Sequence, residues 1–275
     1  MNRTPVDSVS IAFDDLGPTQ SGAGTGTEPA FLLLPGWCTN RSVFRPLVEV
    51  LAKHRRTIAL DWAGHGETTG ASGDFGQEQL VAQALGVIAA SGVSSVIPVT
   101  ISHAGWVGLE LRRRLGARVA GLVFLDWIVS EPPPPFLAIL AGMQSAQWKQ
   151  AVEQVFGMWL HGVENHQVIR FVREEMGSYP GEMWGRAGRE IGAAYAAHGS
   201  PLAAAARLAE PVEILHLYGQ PDDPGYLAFQ QGFAAAHPWF QVHKLTARSH
   251  FPTLECPGEI AEALVAFAAK IDAKK

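Results

Sequence analysis

Cysteine is scarce in this sequence: Cys38 and Cys256 are the only two among 275 residues. Two thiols cannot build a disulfide framework or a cysteine-based zinc site. An apolar core must therefore hold the fold, and both thiols are expected free in a reducing cytosol. Charge of one sign is also lacking. Lys and Arg number 21 against 26 Asp and Glu, a formal net charge of −5. No basic run marks a nucleic-acid surface, and the short cluster Arg112, Arg113, Arg114 reads as a solvated helix face. Nowhere does the chain carry the roughly 20 consecutive apolar residues of a membrane span. The opening MNRTPVDSVS has no apolar stretch of signal-peptide length. A soluble, cytoplasmic protein is expected, with neither nucleic acid nor membrane as partner. No glycine-rich phosphate loop follows a strand, which leaves nucleotide binding without support. His161, Glu164 and His166 lie close in sequence, but their spacing does not set all three on one helical face, so no metal is expected.

Hydrophobic residues, by contrast, make up 47% of the chain, enough for one substantial core. Short apolar runs alternate with longer helix-like segments. That rhythm predicts a mainly parallel sheet with helices on both faces. Strands are expected at Ser10–Asp14, Phe31–Leu34, Thr57–Asp61, Ser95–Ile101, Leu122–Asp126, Glu213–Tyr218 and Gln241–Leu245. They lack strict alternation, as strands buried on both faces do. Helices are expected at Ser42–Lys53, Gln77–Ala90, Trp106–Leu115, Tyr226–Ala236 and Pro257–Ala269. The run GPTQSGAGTGTEP from Gly17 reads as a flexible surface loop. One stretch breaks the rhythm. After Glu131 come four prolines, Pro132 to Pro135, and then a mostly helical segment to about Arg207 that holds Trp148, Trp159 and Trp184. The expectation is one domain, residues 1–275, with residues 131–207 inserted as a helical cap that offers an apolar aromatic pocket.

Four short segments carry chemistry. In VTISHAGW, Val99 to Trp106, a strand runs into Ser102 and a helix follows, the context of a nucleophile elbow. The expected glycines are Thr100 and Ala104, with Gly105 just behind. In LLLPGW, an apolar strand ends in Pro35–Gly36. The backbone N–H of the next residue, Trp37, can point into a pocket and form an oxyanion hole with the N–H of His103. DWAGHGET, Asp61 to Thr68, reads as a structural turn, with His65 outside the chemistry. In SHFPTLECP, His250 lies in a loop between the last strand and the C-terminal helix, where an α/β-hydrolase fold delivers its base. The acid is open on the residues alone: Asp126 ends the run GLVFLD, whereas Asp222 and Asp223 follow the next strand. Either location could orient His250 by accepting its second ring N–H.

Beyond these motifs the chain resembles the cofactor-independent 2,4-dioxygenases of 3-hydroxy-4(1H)-quinolones, which have the α/β-hydrolase fold. LLLPGWC at Leu32, SHAGW at Ser102, LDW at Leu125, HPWF at His237 and HFP at His250 carry the resemblance. WGRAGREIGAAY from Trp184 and HGSP from His198 extend it into the cap. It implies an oxidoreductase without cofactor that opens a quinolone ring with O2 and releases carbon monoxide and an N-acylanthranilate. It further implies His250 as general base, Asp126 as its orienting acid, and Ser102 as a hydroxyl that orients the substrate. Trp37, Phe136, Trp159 and Trp184 are the expected partners of a flat aromatic substrate. Some members carry histidines where Ile101 and Thr39 stand here, and a glycine where Ala104 stands; these departures bear on substrate choice. The other reading of the same residues is a serine hydrolase, acting on esters or carbon–carbon bonds, with Ser102 as nucleophile. A third is a non-catalytic binding protein of this fold, in which Ser102 and His250 would be free to vary.

Overall fold

The computed structural model describes residues 1–18, 28–70 and 73–274. The expected loop after Gly17 lies largely outside the described residues. Eight strands form one sheet: β1 Asn2–Val6, β2 Val9–Leu16, β3 Ala30–Leu34, β4 Thr57–Leu60, β5 Val96–Ile101, β6 Leu122–Leu125, β7 Ile214–Tyr218 and β8 Phe240–Lys244. Their order is β1-β2-β4-β3-β5-β6-β7-β8. The first two strands pair antiparallel, as do β2 and β4, and every later pairing is parallel. Every residue of β3 through β7 is buried, which is why these segments read as unbroken apolar runs rather than alternating ones.

The helices are α1 Arg45–Leu51, α2 Gln77–Ser91, α3 Ala104–Leu115, α4 Pro134–Met143, α5 Trp148–Trp159, α6 His166–Arg170, α7 Gly181–His198, α8 Pro201–Ala206, α9 Pro224–Ala236, α10 Pro252–Glu255 and α11 Pro257–Asp272. Helices α4 to α8 fall between β6 and β7, in the segment expected to form a cap. Among the described residues no helix is long and apolar enough to cross a membrane.

Three features depart from the sequence reading. Strand β1 was not expected: Pro5 interrupts a short polar run, but β1 is the edge strand, where a missing N–H costs no ladder bond. Arg112 is not on a solvated face. It is buried and donates to the carbonyls of Gly116 and Val119, while Arg113 and Arg114 pair with Glu110 outside. Trp148 packs on α7 rather than on a pocket, so close that a Cβ on Gly181 would lie 2.5 Å from it. Both cysteines are free.

The chain leaves β3 for β4 on one side of the sheet and then crosses to β5 on the other. The connections after β3 and β5 therefore diverge and open a crevice at the strands' carboxyl ends, the usual ligand position in an open α/β sheet. Packing beneath it is tight. A Cβ on Gly105 would lie 2.2 Å from the Trp127 ring, so the first turn of α3 can sit there only with glycine. By contrast, Gly157 in α5 has open space where a Cβ would go. Gly105→Ala is expected to cost about 1–3 kcal/mol by overpacking, whereas Gly157→Ala should add about 0.5–1 kcal/mol through helix propensity. Urea unfolding of the two variants checks both signs.

Candidate active site

Among the described residues, three of the four non-glycine residues with positive φ follow strand ends at this crevice: Cys38 (φ 56) after β3, Ser102 (φ 52) after β5 and Asp126 (φ 48) after β6. Left-handed backbone outside glycine is costly and concentrates where a side chain must be aimed. Main-chain bonds hold the two later turns, because Ser102 N–H donates to Leu125 O at 2.8 Å and Asp126 N–H to Leu217 O at 2.9 Å. Ser102 thus stands in a strand–turn–helix elbow despite the missing glycines.

Asp126 is buried and both its oxygens are occupied. Oδ1 accepts from Nδ1 of His250 at 2.9 Å. Oδ2 accepts from the N–H of Gly219 at 2.6 Å and of Gln220 at 3.1 Å, just past β7. The carboxylate demands a proton on Nδ1, which leaves the Nε2 lone pair of neutral His250 free. Asp222 is turned away: it is exposed and lies 3.5 Å from Lys244. Asp223 caps α9 through the N–H of Gly225. Of the acids left open by the sequence, the structure brings only Asp126 to His250.

The loop that carries His250 is built by Glu255, which the sequence reading did not single out. Its carboxylate accepts from the N–H groups of Arg248 and Ser249 and from the Ser249 hydroxyl, at 2.7–3.0 Å. The Ser249 hydroxyl in turn accepts from Phe251 N–H at 3.1 Å. Gln220, also missed, donates from its side chain to Arg248 O and to Trp159 O. A serine six residues before a glutamate in a Pro-initiated turn was the available signal.

On the other side of the crevice, His65 holds the Pro-Gly-Trp turn. Its Nδ1–H donates to Ala63 O at 2.8 Å and its Nε2 accepts from Cys38 N–H at 3.1 Å. Trp62 Nε1–H donates to Pro35 O, and the Thr39 hydroxyl to Gly36 O. The segment DWAGHGET is thus a brace, and Gly66 is required in it because a Cβ would meet the Asp61 carboxylate.

A cavity of about 650 Å³ lies between the strand ends and helices α4, α5 and α7. Every sequence-expected site residue lines it: Trp37, Ser102, His103, Asp126 and His250 from the sheet side, and Phe136, Trp159 and Trp184 from α4, α5 and α7. Trp159 lies flat on the His250 imidazole, centroids 4.8 Å apart and planes 9° apart. Phe136 stacks on His103 at 5.8 Å, and Trp184 is buried edge-on against Phe156. Thr39 and Ile101 also line the cavity. The His103 Nδ1 accepts from Trp127 Nε1–H at 3.2 Å. Burial, reinforced by the nearby His250, pushes the His103 pKa down to about 3, so this ring is a neutral wall. Among the described residues no three potential metal ligands converge.

Comparison with known proteins agrees with this geometry. The alpha/beta hydrolase family matches residues 31–263. A 2-heptyl-3-hydroxy-4(1H)-quinolone dioxygenase of Mycobacteroides abscessus is 37% identical over 258 residues, 93% of each chain. The 1H-3-hydroxy-4-oxoquinoline 2,4-dioxygenase of Pseudomonas putida is 36% identical, covering 90% of this chain and 95% of that one. The chain belongs to the 3-hydroxy-4-quinolone 2,4-dioxygenase family. A solved structure of this family, an AqdC variant in complex with its substrate, the Pseudomonas quinolone signal, superposes with a TM-score of 0.91 at 35% identity. It covers 98% of this chain and 99% of its own. The α/β-hydrolase fold expected from the motifs is therefore the family fold.

Like His103, His65 and His216 are buried, and burial pushes each down to about 4. All three rings are neutral when folded and take up protons below about pH 6.5 when unfolded. The unfolded state then binds more protons, so stability is full above that pH and falls as the pH drops toward 4. Each histidine contributes a slope of about 1.4 kcal/mol per pH unit within this window. Urea midpoints measured between pH 7 and pH 5 should fall accordingly; a flat profile contradicts neutral burial.

Proposed function

We propose that the protein is a cofactor-free dioxygenase that opens the ring of a 3-hydroxy-4(1H)-quinolone carrying a methyl or other alkyl group at C2. It incorporates both atoms of O2 and releases carbon monoxide and an N-acylanthranilate. The observation that carries this reading is the Asp126–His250 hydrogen bond, which leaves Nε2 free at a cavity lined with aromatic side chains, in a chain of the quinolone dioxygenase family.

His250 takes the 3-hydroxyl proton, and Asp126 holds the resulting imidazolium in place. The substrate becomes an electron-rich anion that reacts with O2 directly. Peroxide formed at C2 attacks C4, and the N–H groups of Trp37 and His103 stabilise the charge that develops on the C4 oxygen. When the O–O bond breaks, one oxygen stays on C2 as the amide carbonyl and the other on C4 in the carboxylate. C3 departs with its own oxygen as carbon monoxide, so atoms balance without an external reductant. Ser102 hydrogen-bonds the substrate hydroxyl, while Trp37, Phe136, Trp159 and Trp184 enclose the bicycle and exclude water. In this reading residues 131–207 cap a single domain of residues 1–275, and the enzyme works in the cytoplasm.

The elbow conformation of Ser102 favours one competing reading, a serine hydrolase. A single assay separates the two. Protein mixed anaerobically with 3-hydroxy-2-methyl-4(1H)-quinolone and then exposed to air should consume O2 and release carbon monoxide, with no change on adding a chelator. His250→Ala should lower kcat by about 10²–10⁴, whereas Ser102→Ala should retain measurable turnover. Equal abolition by both changes, with esterase activity and fluorophosphonate labelling of Ser102, supports the hydrolase. No turnover on any 2-substituted relative sinks the dioxygenase reading.

A further inference from the structure

Arg186, in the middle of α7, is 6% exposed, although its ionic partners Asp74 and Glu182 lie largely in solvent at 65% and 78%. Surface ion pairs of this kind contribute little and do not call for a buried guanidinium. Burial has another use here. The guanidinium carbon sits 4.1 Å from the centroid of the Phe75 ring, a cation–π contact inside the protein. Phe75 in turn lies nearly parallel to the Trp37 indole, 5.9 Å between centroids and 14° between planes.

The backbone of this loop is fixed by the same helix. Arg186 donates to Gly73 O at 3.2 Å and to Asp74 at 2.9 Å, and Arg189 donates to Asp74 at 3.0 Å. Glu190 accepts from Gln77 N–H at 2.8 Å. A Cβ on Gly76 would lie 2.3 Å from that Glu190 carboxylate, so the loop is seated closely on α7. Neither Arg186 nor Phe75 lines the cavity, but Trp37 does.

Around Trp37 the turn is tied down at Pro35 O, Gly36 O and Cys38 N–H. These bonds hold each peptide from Pro35 to Cys38, so what remains to be placed is the indole itself, and its parallel neighbour is Phe75. We propose that Arg186 is a positioning residue for the cavity-lining indole of Trp37, acting through the ring of Phe75. This rests on the dioxygenase reading only for its effect on turnover. The mechanical link from Arg186 to Trp37 stands apart from it.

The test is a double-variant cycle of Arg186→Met and Phe75→Leu in the full chain, with Arg186→Lys as the conservative variant. On 3-hydroxy-2-methyl-4(1H)-quinolone in air, Arg186→Met and Phe75→Leu are each expected to lower kcat roughly tenfold or more, the size of a misplacement effect. The two together should do little more than either alone. Arg186→Lys should recover part of the loss, because it restores a cation without the planar fork. The anaerobic absorption shift that marks substrate deprotonation should persist in all variants, since His250 and Asp126 are untouched. Loss of that shift along with kcat, additive losses, or unchanged kcat in a folded Arg186→Met protein each overturns the proposal. A second readout does not use turnover. In protein labelled with 5-fluorotryptophan, the Trp37 resonance, assigned with Trp37→Phe, should move in Arg186→Met and in Phe75→Leu. If it stays in place in both, the link is absent. If the wild-type protein cleaves no quinolone while the resonance still moves, the functional reading fails and the link holds. Should Arg186→Met not fold, Phe75→Leu and Arg186→Lys carry both measurements.

Discussion

Asp126 can serve His250 only because its own backbone is bent into the left-handed region at the end of β6. A continued strand would send the next side chain along the sheet. The bend lifts the carboxylate over the ends of β7 and β8, where the N–H groups of Gly219 and Gln220 take one oxygen and the imidazole takes the other. Charge-assisted bonds of this kind are stronger than neutral ones, and here they converge on a buried anion that would otherwise be costly. The remainder of the site is arranged around the ring so fixed. Trp159 covers one face of the imidazole, and Glu255 folds the loop that delivers it.

The same bond explains how one fold can host two chemistries. A histidine held at Nδ1 by a carboxylate offers Nε2 to whatever lies across the crevice. If that is a serine hydroxyl that then attacks a carbonyl, the outcome is acyl transfer. If it is the acidic hydroxyl of a substrate that reacts with O2 once ionised, the protein needs no nucleophile of its own. The distinction lies in the cavity, which is broad, aromatic and walled on one side by the neutral His103 ring.

Much of this was legible in the sequence. The buried strands announced themselves as runs such as FLLL and LVFL, and the order Ser102, Asp126, His250 follows the order of strand ends. The choice between Asp126 and Asp222 was not legible from the residues, because both follow strands and only the turn angle decides which carboxylate faces the histidine. Strand β1 was hidden by Pro5, whose lack of an N–H matters in the middle of a sheet but not at its edge. Glu255 and Gln220 were passed over because most of their partners are main-chain groups, which leave no mark in the pattern of side chains; only the Ser249 hydroxyl, six residues before Glu255, gave a sign. The buried setting of Arg112 was missed for a related reason: three adjacent arginines look alike until the carbonyls that one of them meets are known.

Helix α7 touches both sides of the crevice. Its first half grips the loop Gly73–Phe75 through Arg186 and Arg189, while in its second half the Tyr195 hydroxyl donates to Ile128 O, two residues beyond Asp126. Helices α4 and α5 carry Phe136 and Trp159, which stack on His103 and His250, and otherwise present Leu140, Met143, Val155 and Met158 to the cavity as plain apolar wall. The insertion therefore combines a keystone, two aromatic contacts and four interchangeable apolar positions. Laboratory evolution that aims to change what the cavity holds should therefore vary those four side chains in place and leave α7 whole, because α7 ties together loops on opposite sides of the crevice although the chain reaches it only after leaving the sheet.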